Sequence, residues 1–173
     1  PAADFQSLAS TIRGGLSAGL SGLPFWSNDI GGYRGIPSAE LYIRWAQFGL
    51  FCSHSRMHGD SPREPWLFGE EAVSVVRKYA LLRYELFPYI YSTAFEAGLK
   101  GLPVIRGLPL VFPDDPNVFD KDFEYMFGLW LLVAPVIEPG GKRDVYLPEG
   151  AWFDYWTGEF FKGPKNLRLQ VPI

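Results

Sequence analysis

One cysteine, Cys52, and two histidines, His54 and His58, are all that 173 residues offer toward thiol or imidazole chemistry. A single cysteine forms neither an internal disulfide nor a multi-cysteine metal site. The histidines lie four positions apart, a spacing that faces a metal only on a helix. The Ser, Arg and Gly around them argue against a helix, and no third ligand accompanies them, so no metal is expected. Clusters of positive charge are also missing. With a net charge of −3 and dispersed Lys and Arg, a nucleic-acid partner is excluded, because phosphate affinity comes from concentrated cations. The longest apolar run, Trp130 to Ile137, contains Pro135 and falls far short of the ~20 residues that cross a bilayer, so no membrane segment is expected. Gly31-Gly32 lacks the flanking glycines and the Lys-Ser/Thr of a phosphate-binding loop. No internal repeat, low-complexity tract or signal-like leader is visible. The ends, Pro1 running into helix-like sequence and Val171-Pro172-Ile173 without a polar tail, read as points inside a longer protein.

What is present is a globular composition, 47% hydrophobic and 17% aromatic, sized for one domain or pieces of two. Phe5, Leu8, Ala9, Ile12 and Leu16 recur at helical spacing over residues 4–19, although Gly14, Gly15 and Gly19 weaken that helix and point to close packing. Asp4 reads as its cap. Leu23–Trp26 reads as a short buried strand, followed by a Gly-rich loop over residues 27–37. Ser38 is the expected N-cap of a helix to about Leu50, and Phe51–His54 a second strand leading into a loop over 55–66. Glu70 and Glu71 open a long helix with Val73, Val76, Ala80 and Phe87 on its buried stripe. Pro88 should kink it before an end near Gly98 or Gly101.

Beyond residue 101 the texture changes. Segments 103–112, 131–137, 143–147, 151–156 and 167–171 are short, aromatic or β-branched, and punctuated by Pro, Gly and Asp, which predicts an antiparallel β-sandwich. The boundary is placed at 1–101 and 102–173. In the first part the two strands are about 27 residues apart, enough for a parallel crossover through a helix. A complete (β/α)8 barrel needs ~250 residues, so the pattern fits either the closing βα units of such a barrel or a small doubly wound sheet. The expected class is therefore α/β plus all-β.

The loops after the two strands carry the candidate chemistry: Trp26, Asn28, Asp29 and Tyr33 in the first, His54, Arg56 and His58 in the second. Carboxylate and imidazole groups bond hydroxyls, and aromatic faces cover the C–H side of a sugar ring. Plainer readings stand beside this one. Asp29 could simply close a turn with Ile30-Gly31-Gly32, His54 could be a core histidine, Trp26 core packing, and Arg56 with His58 a solvated pair. Trp152, Tyr155 and Trp156 could form a carbohydrate-binding face, but aromatic core plus contact with the first part is the preferred reading.

The stretch Phe25-Trp26-Ser27-Asn28-Asp29-Ile30-Gly31-Gly32-Tyr33 closely resembles the FWxxDIGGF signature of glycoside hydrolase family 31, and Ser53-His54-Ser55-Arg56-Met57-His58-Gly59 its SHSRxHG segment in the form of α-xylosidase-like members. The resemblance continues in order through Leu82-Arg83-Tyr84, Pro88-Tyr89-Ile90-Tyr91, Phe112-Pro113-Asp114-Asp115, Leu132–Val136 and Tyr146–Trp152. It implies the last βα units of a (β/α)8 TIM barrel followed by a partial antiparallel β-sandwich. It also implies a retaining exo-α-glycosidase acting on terminal α-linked xylose or glucose, with no cofactor, a carbohydrate (an α-xyloside or α-glucoside) as partner, and no membrane or nucleic acid. An oligomer and a cytoplasmic location are both compatible with it. Retaining chemistry uses two carboxyl groups ~5–5.5 Å apart. The family's nucleophile motif, WxDMxE, is not in this chain, and its acid/base aspartate aligns one residue before Pro1. Both therefore fall upstream, and no catalytic residue is expected here. By resemblance Asp29 and His58 bond the sugar hydroxyls, Trp26 and Tyr33 line the pocket, and Arg56 orients an acidic group or contacts substrate. A non-catalytic carbohydrate-binding or scaffold protein is the rival reading.

Overall fold

Asp4 starts the first helix. Its carboxylate accepts the Ser7 backbone N–H at 2.6 Å, satisfying an amide that has no partner within the helix, and α1 runs Phe5–Leu20 with Leu8, Ile12 and Leu16 buried on one side. The computed structural model describes residues 1–173. Ser38 caps α2 (Ala39–Gly49) in the same way, its hydroxyl accepting the Leu41 N–H at 3.3 Å. A 3₁₀ turn, Pro65–Phe68, leads to α3 (Glu70–Glu85) and α4 (Phe87–Lys100). The expected kink is a full break at Leu86. Pro88 sits in the first turn of α4, where its missing N–H has no helical partner to lose. Gly101, at φ 71°, ends α4 in the left-handed conformation.

The remainder is antiparallel β. β1 (Ile105–Gly107) runs into a one-turn helix, α5 (Leu108–Val111), and pairs with β2 (Tyr125–Phe127), which pairs with β3 (Leu131–Val133). β4 (Lys142–Phe153) and β5 (Phe160–Gln170) form a long hairpin. Its register shifts between Leu147 and Gly150, around Pro148, which has no N–H for the ladder. Thus the expected strands at 143–147 and 151–156 are one bulged strand, and β2 is a strand the sequence reading did not place.

The two strands expected in the first part are not formed. Leu23–Trp26 has no regular structure and belongs to no ladder. Its Pro24 carbonyl accepts the Val104 N–H, and Leu23 and Phe25 remain 57% and 45% exposed. Phe51–His54 is turn and bend. A strand exists only where a neighbouring backbone pairs with it, and here the parallel pairing is reduced to isolated bridges, Asp29 with Arg56 and Ala2 with Arg34. Phe87, expected on a buried stripe, is exposed. With Tyr91, Phe95 and Leu99 it forms an outward apolar ridge at i, i+4 spacing along α4.

One core joins both parts: Leu8, Ile12, Trp45 and Phe48 from the helices meet Ile105, Tyr125 and Phe127 from the sheet. A smaller core, Leu108, Val118, Met126 and Tyr146, lies between the three-stranded sheet and the hairpin. Trp152 packs on Phe112, while Trp156 and Tyr155 stay exposed, Trp156 making the expected contact with the first part through Tyr79 of α3, with the Lys78 ammonium over its ring. Arg106, fully buried, pairs with Glu96 of α4 at 2.7 Å, and Arg44 of α2 donates to the carbonyls of Val171 and Pro172 at 2.8 Å each.

Two outcomes are expected from this packing. A Cβ at Gly15 would enter the six-membered ring of Trp26, whereas one at Gly14 meets nothing. In denaturant melts, Gly15→Ala therefore loses ~1–3 kcal/mol to overpacking, and Gly14→Ala gains up to ~1 kcal/mol of helix propensity. Burial pushes the Glu124 carboxyl from 4.5 up to about 7, against the pull of the Tyr146 N–H and the Arg143 charge. The folded state then holds a proton that the unfolded chain has released, so stability falls as pH rises through about 7. Thermal midpoints of Glu124→Gln should lack this slope.

Candidate functional site

Trp26 and Ser53 begin a parallel alignment of the two loops. The Ser53 hydroxyl accepts the Trp26 N–H at 3.0 Å and donates to the Trp26 carbonyl at 2.6 Å. Farther on, Ile30 N–H donates to the Arg56 carbonyl at 3.1 Å and Asp60 N–H to the Tyr33 carbonyl at 2.8 Å. The offset is 27 residues at Trp26/Ser53 and at Asp29/Arg56, so the second loop tracks the first without slipping. Within the first loop the Asp29 carbonyl accepts the Gly32 N–H at 2.9 Å. Gly31 and Gly32 have φ of 87° and 80°, and a Cβ on Gly32 would stand 2.5 Å from the Ala2 carbonyl oxygen. The turn-closing reading of Asp29 therefore holds for its backbone, and its carboxylate takes no part in that turn.

That carboxylate meets Arg56. Nε donates to Oδ1 at 2.6 Å, with the Asp29 side chain 12% exposed and the Arg56 side chain 60% exposed. Oδ2 has no partner within the chain. Tyr33 and His58 meet as well, their rings tilted at 49° with centroids 5.6 Å apart. Both are exposed. The loops thus form two pairs across two consecutive segments, a carboxylate with a guanidinium and a phenol ring with an imidazole. Such a set bonds hydroxyl pairs and covers an apolar ring face. Trp26, half-buried, makes core contacts as well. Its ring rests on Gly15 of α1 and against Phe48 of α2, with a centroid distance of 6.2 Å, so it supports the first loop from the core side. His54 is no core histidine: it is exposed, with Nδ1 3.1 Å from the Ser53 hydroxyl oxygen.

The residues that hold the loops were largely missed as functional candidates. Asn28, buried, donates to the Cys52 sulfur at 3.2 Å and accepts the Trp45 indole N–H at 2.7 Å, fixing the residue before Asp29. Burial pushes the Cys52 thiol well up from its ordinary range, which makes it packing and not a nucleophile. Arg83 of α3 donates to the carbonyls of Leu50, Cys52 and Ser53 at 2.6, 2.8 and 3.0 Å. Arg63 does the same for the first loop. The signal in the sequence is an arginine on a half-apolar helix face (Leu82-Arg83-Tyr84) and another enclosed by prolines (Pro62-Arg63-Glu64-Pro65).

Residues 2–93 match the family profile described as "Glycosyl hydrolases family 31 TIM-barrel domain", and residues 101–173 the profile "Glycosyl hydrolase family 31 C-terminal domain". The chain belongs to glycoside hydrolase family 31. It is 48% identical over 160 residues to the α-xylosidase XylQ of Lactiplantibacillus pentosus, covering 90% of this chain and 21% of that protein. It is 41% identical over 178 residues to an α-xylosidase of Saccharolobus solfataricus, covering 98% and 24%. Other relatives are named α-glucosidases. Among solved structures, a family 31 α-xylosidase from a soil metagenome complexed with xylose superposes with a TM-score of 0.93 at 35% identity, covering 98% of this chain and 29% of its own. The chain therefore spans under a quarter of the length of these curated family 31 relatives.

Asp29→Ala, made in the complete enzyme, is expected to lower kcat/KM at least ~100-fold, as when a transition-state hydrogen bond is removed. His58→Ala should impair turnover with an unchanged thermal midpoint, because the ring is exposed. A large fall in the midpoint would instead make His58 a packing residue.

Proposed function

We propose that this chain is the closing part of the barrel, residues 1–101, and most of the adjoining sandwich, residues 102–173, of a retaining exo-acting α-glycosidase that hydrolyses terminal α-linked xylose or glucose. The observation that carries the reading is the parallel register that places Asp29 against Arg56 and Tyr33 against His58 on adjacent loops. In a (β/α)8 barrel, loops that follow parallel strands lie on the catalytic face. The exposed Leu23 and Phe25 and the apolar ridge of α4 support the barrel placement, since neighbouring strands and helices would cover them. In this role Asp29 accepts from the sugar through Oδ2 while Arg56 holds Oδ1. His58 bonds a neighbouring hydroxyl, and Tyr33 packs beside it. Bonds of this kind strengthen as the ring flattens toward the oxocarbenium ion, worth several kcal/mol. Attack at the anomeric carbon and protonation of the leaving oxygen belong to carboxyl groups outside this chain, so the chain alone is inactive. Xylose is favoured over glucose by the SHSRxHG form of the second loop.

The test is turnover of 4-nitrophenyl α-xyloside and α-glucoside by the complete enzyme and by residues 1–173 alone. Nitrophenolate release by the complete enzyme only, with the α-anomer as first product by NMR, is expected. Release by the isolated chain, or an inverted product, overturns the reading. Saturable sugar binding without turnover by the complete protein would favour a non-catalytic carbohydrate-binding protein.

A further inference from the structure

Arg63 is 3% exposed and has no carboxylate within ion-pair distance. A buried cation without an acidic partner is costly unless hydrogen bonds replace its hydration, so where its donors go is informative. Nη2 donates to the carbonyls of Gly32 at 2.8 Å, Gly35 at 2.6 Å and Tyr33 at 3.4 Å, and Nε donates to Gly32 again at 3.2 Å. Nη1 turns to its own loop, to the carbonyls of Ser61 at 3.0 Å and Pro62 at 3.2 Å and to the Ser61 hydroxyl. One planar fork thus spans both loops, and every acceptor on the first loop lies in the four residues that carry Tyr33. The surroundings are shaped for it. A Cβ on Gly59 would lie 2.7 Å from Nη2, one on Gly31 would lie 3.3 Å from Cδ, and the Tyr42 hydroxyl donates to the Arg63 carbonyl at 2.7 Å.

We propose that Arg63 is a positioning residue, resting on the glycosidase reading above: it fixes the Gly32–Gly35 turn against the second loop so that Tyr33 stands beside His58 and the Asp29 carboxylate keeps its pose. Arg63 touches no sugar itself. It acts through carbonyl groups that lie in a turn: that of Gly32 has Arg63 as its partner, while that of Gly35 also accepts the Ser61 hydroxyl and that of Tyr33 the Asp60 N–H. Lysine cannot replace it, because three donors on a tetrahedral nitrogen do not reach two loops at once.

The experiment is kinetics on the complete enzyme with 4-nitrophenyl α-xyloside and α-glucoside, comparing wild type, Arg63→Ala, Arg63→Lys and Asp29→Ala, with and without millimolar guanidinium ion. Arg63→Ala is expected to lose ~10–100-fold in kcat, the scale of a misplaced binding group, with KM changed less than about threefold. Guanidinium should restore part of that kcat by occupying the vacated cleft, and should do nothing for Asp29→Ala. Arg63→Lys should remain impaired although folded by circular dichroism. The proposal is overturned by kcat of Arg63→Lys within twofold of wild type, or by a loss in Arg63→Ala that only tracks the unfolded fraction and is not restored by guanidinium. A wild-type enzyme inert on both glycosides would instead sink the glycosidase reading, and the proposal with it. Impaired Asp29→Ala beside unimpaired Arg63 variants would sink the proposal alone.

Discussion

The constant offset between the two loops depends on backbone carbonyls that neither a helix nor a sheet satisfies. Buried peptide groups must find partners, and between Trp26 and Asp60 the regular ladders are reduced to a bridge and a few amide contacts. Arginines complete the set: Arg63 binds the carbonyls of the Gly32–Gly35 turn, and Arg83 those of Leu50, Cys52 and Ser53. Guanidinium suits the task because its five N–H groups lie in one plane and can serve several oxygens without rearrangement. The half-buried Asp29 and the exposed Arg56, Tyr33 and His58 lie on the loops that these buried groups hold.

Beneath the loops the support is apolar and shared. Trp26 lies on Gly15 of α1 and faces Phe48 of α2, while Trp45 of the same helix holds Asn28. Helix α2 also grips the far end of the hairpin, where Arg44 binds the last carbonyls and Glu40 accepts the Gly140 N–H. The hairpin therefore backs the helix that joins the two loops. Because the principal core runs from Leu8 through Tyr125 to Phe127, the helical and strand parts are packed as one body, although the sequence divides in texture near residue 101.

Local chemistry was legible wherever the relevant interaction is made by neighbours in sequence. Asp4 and Ser38 cap their helices because the amides they accept lie three residues on. Pro88 interrupts the long helix by its own missing donor, and Gly31-Gly32 bends the chain by its own φ. The grouping of Asp29 and Tyr33 with Arg56 and His58 was legible from the order of strands and helices and from resemblance, not from either loop alone, since nothing in a loop by itself states which segment lies beside it. Trp26 shows the limit: an aromatic three residues before a candidate carboxylate packs on a glycine eleven residues back in α1 that only packing brings near.

The sequence by itself determined helices α1 and α2 and their caps, the turn at Asp29 and the family to which the chain belongs, because capping, periodicity and motif are properties of contiguous residues. Tertiary structure decided which extended segments become strands, which aromatic side chains face the core, and which arginines are buried. Leu23–Trp26 has a strand's composition but no ladder, and Tyr125–Phe127 became one between β1 and β3. The reason is that a strand, a buried cation and a packed ring are each completed by a partner far along the chain.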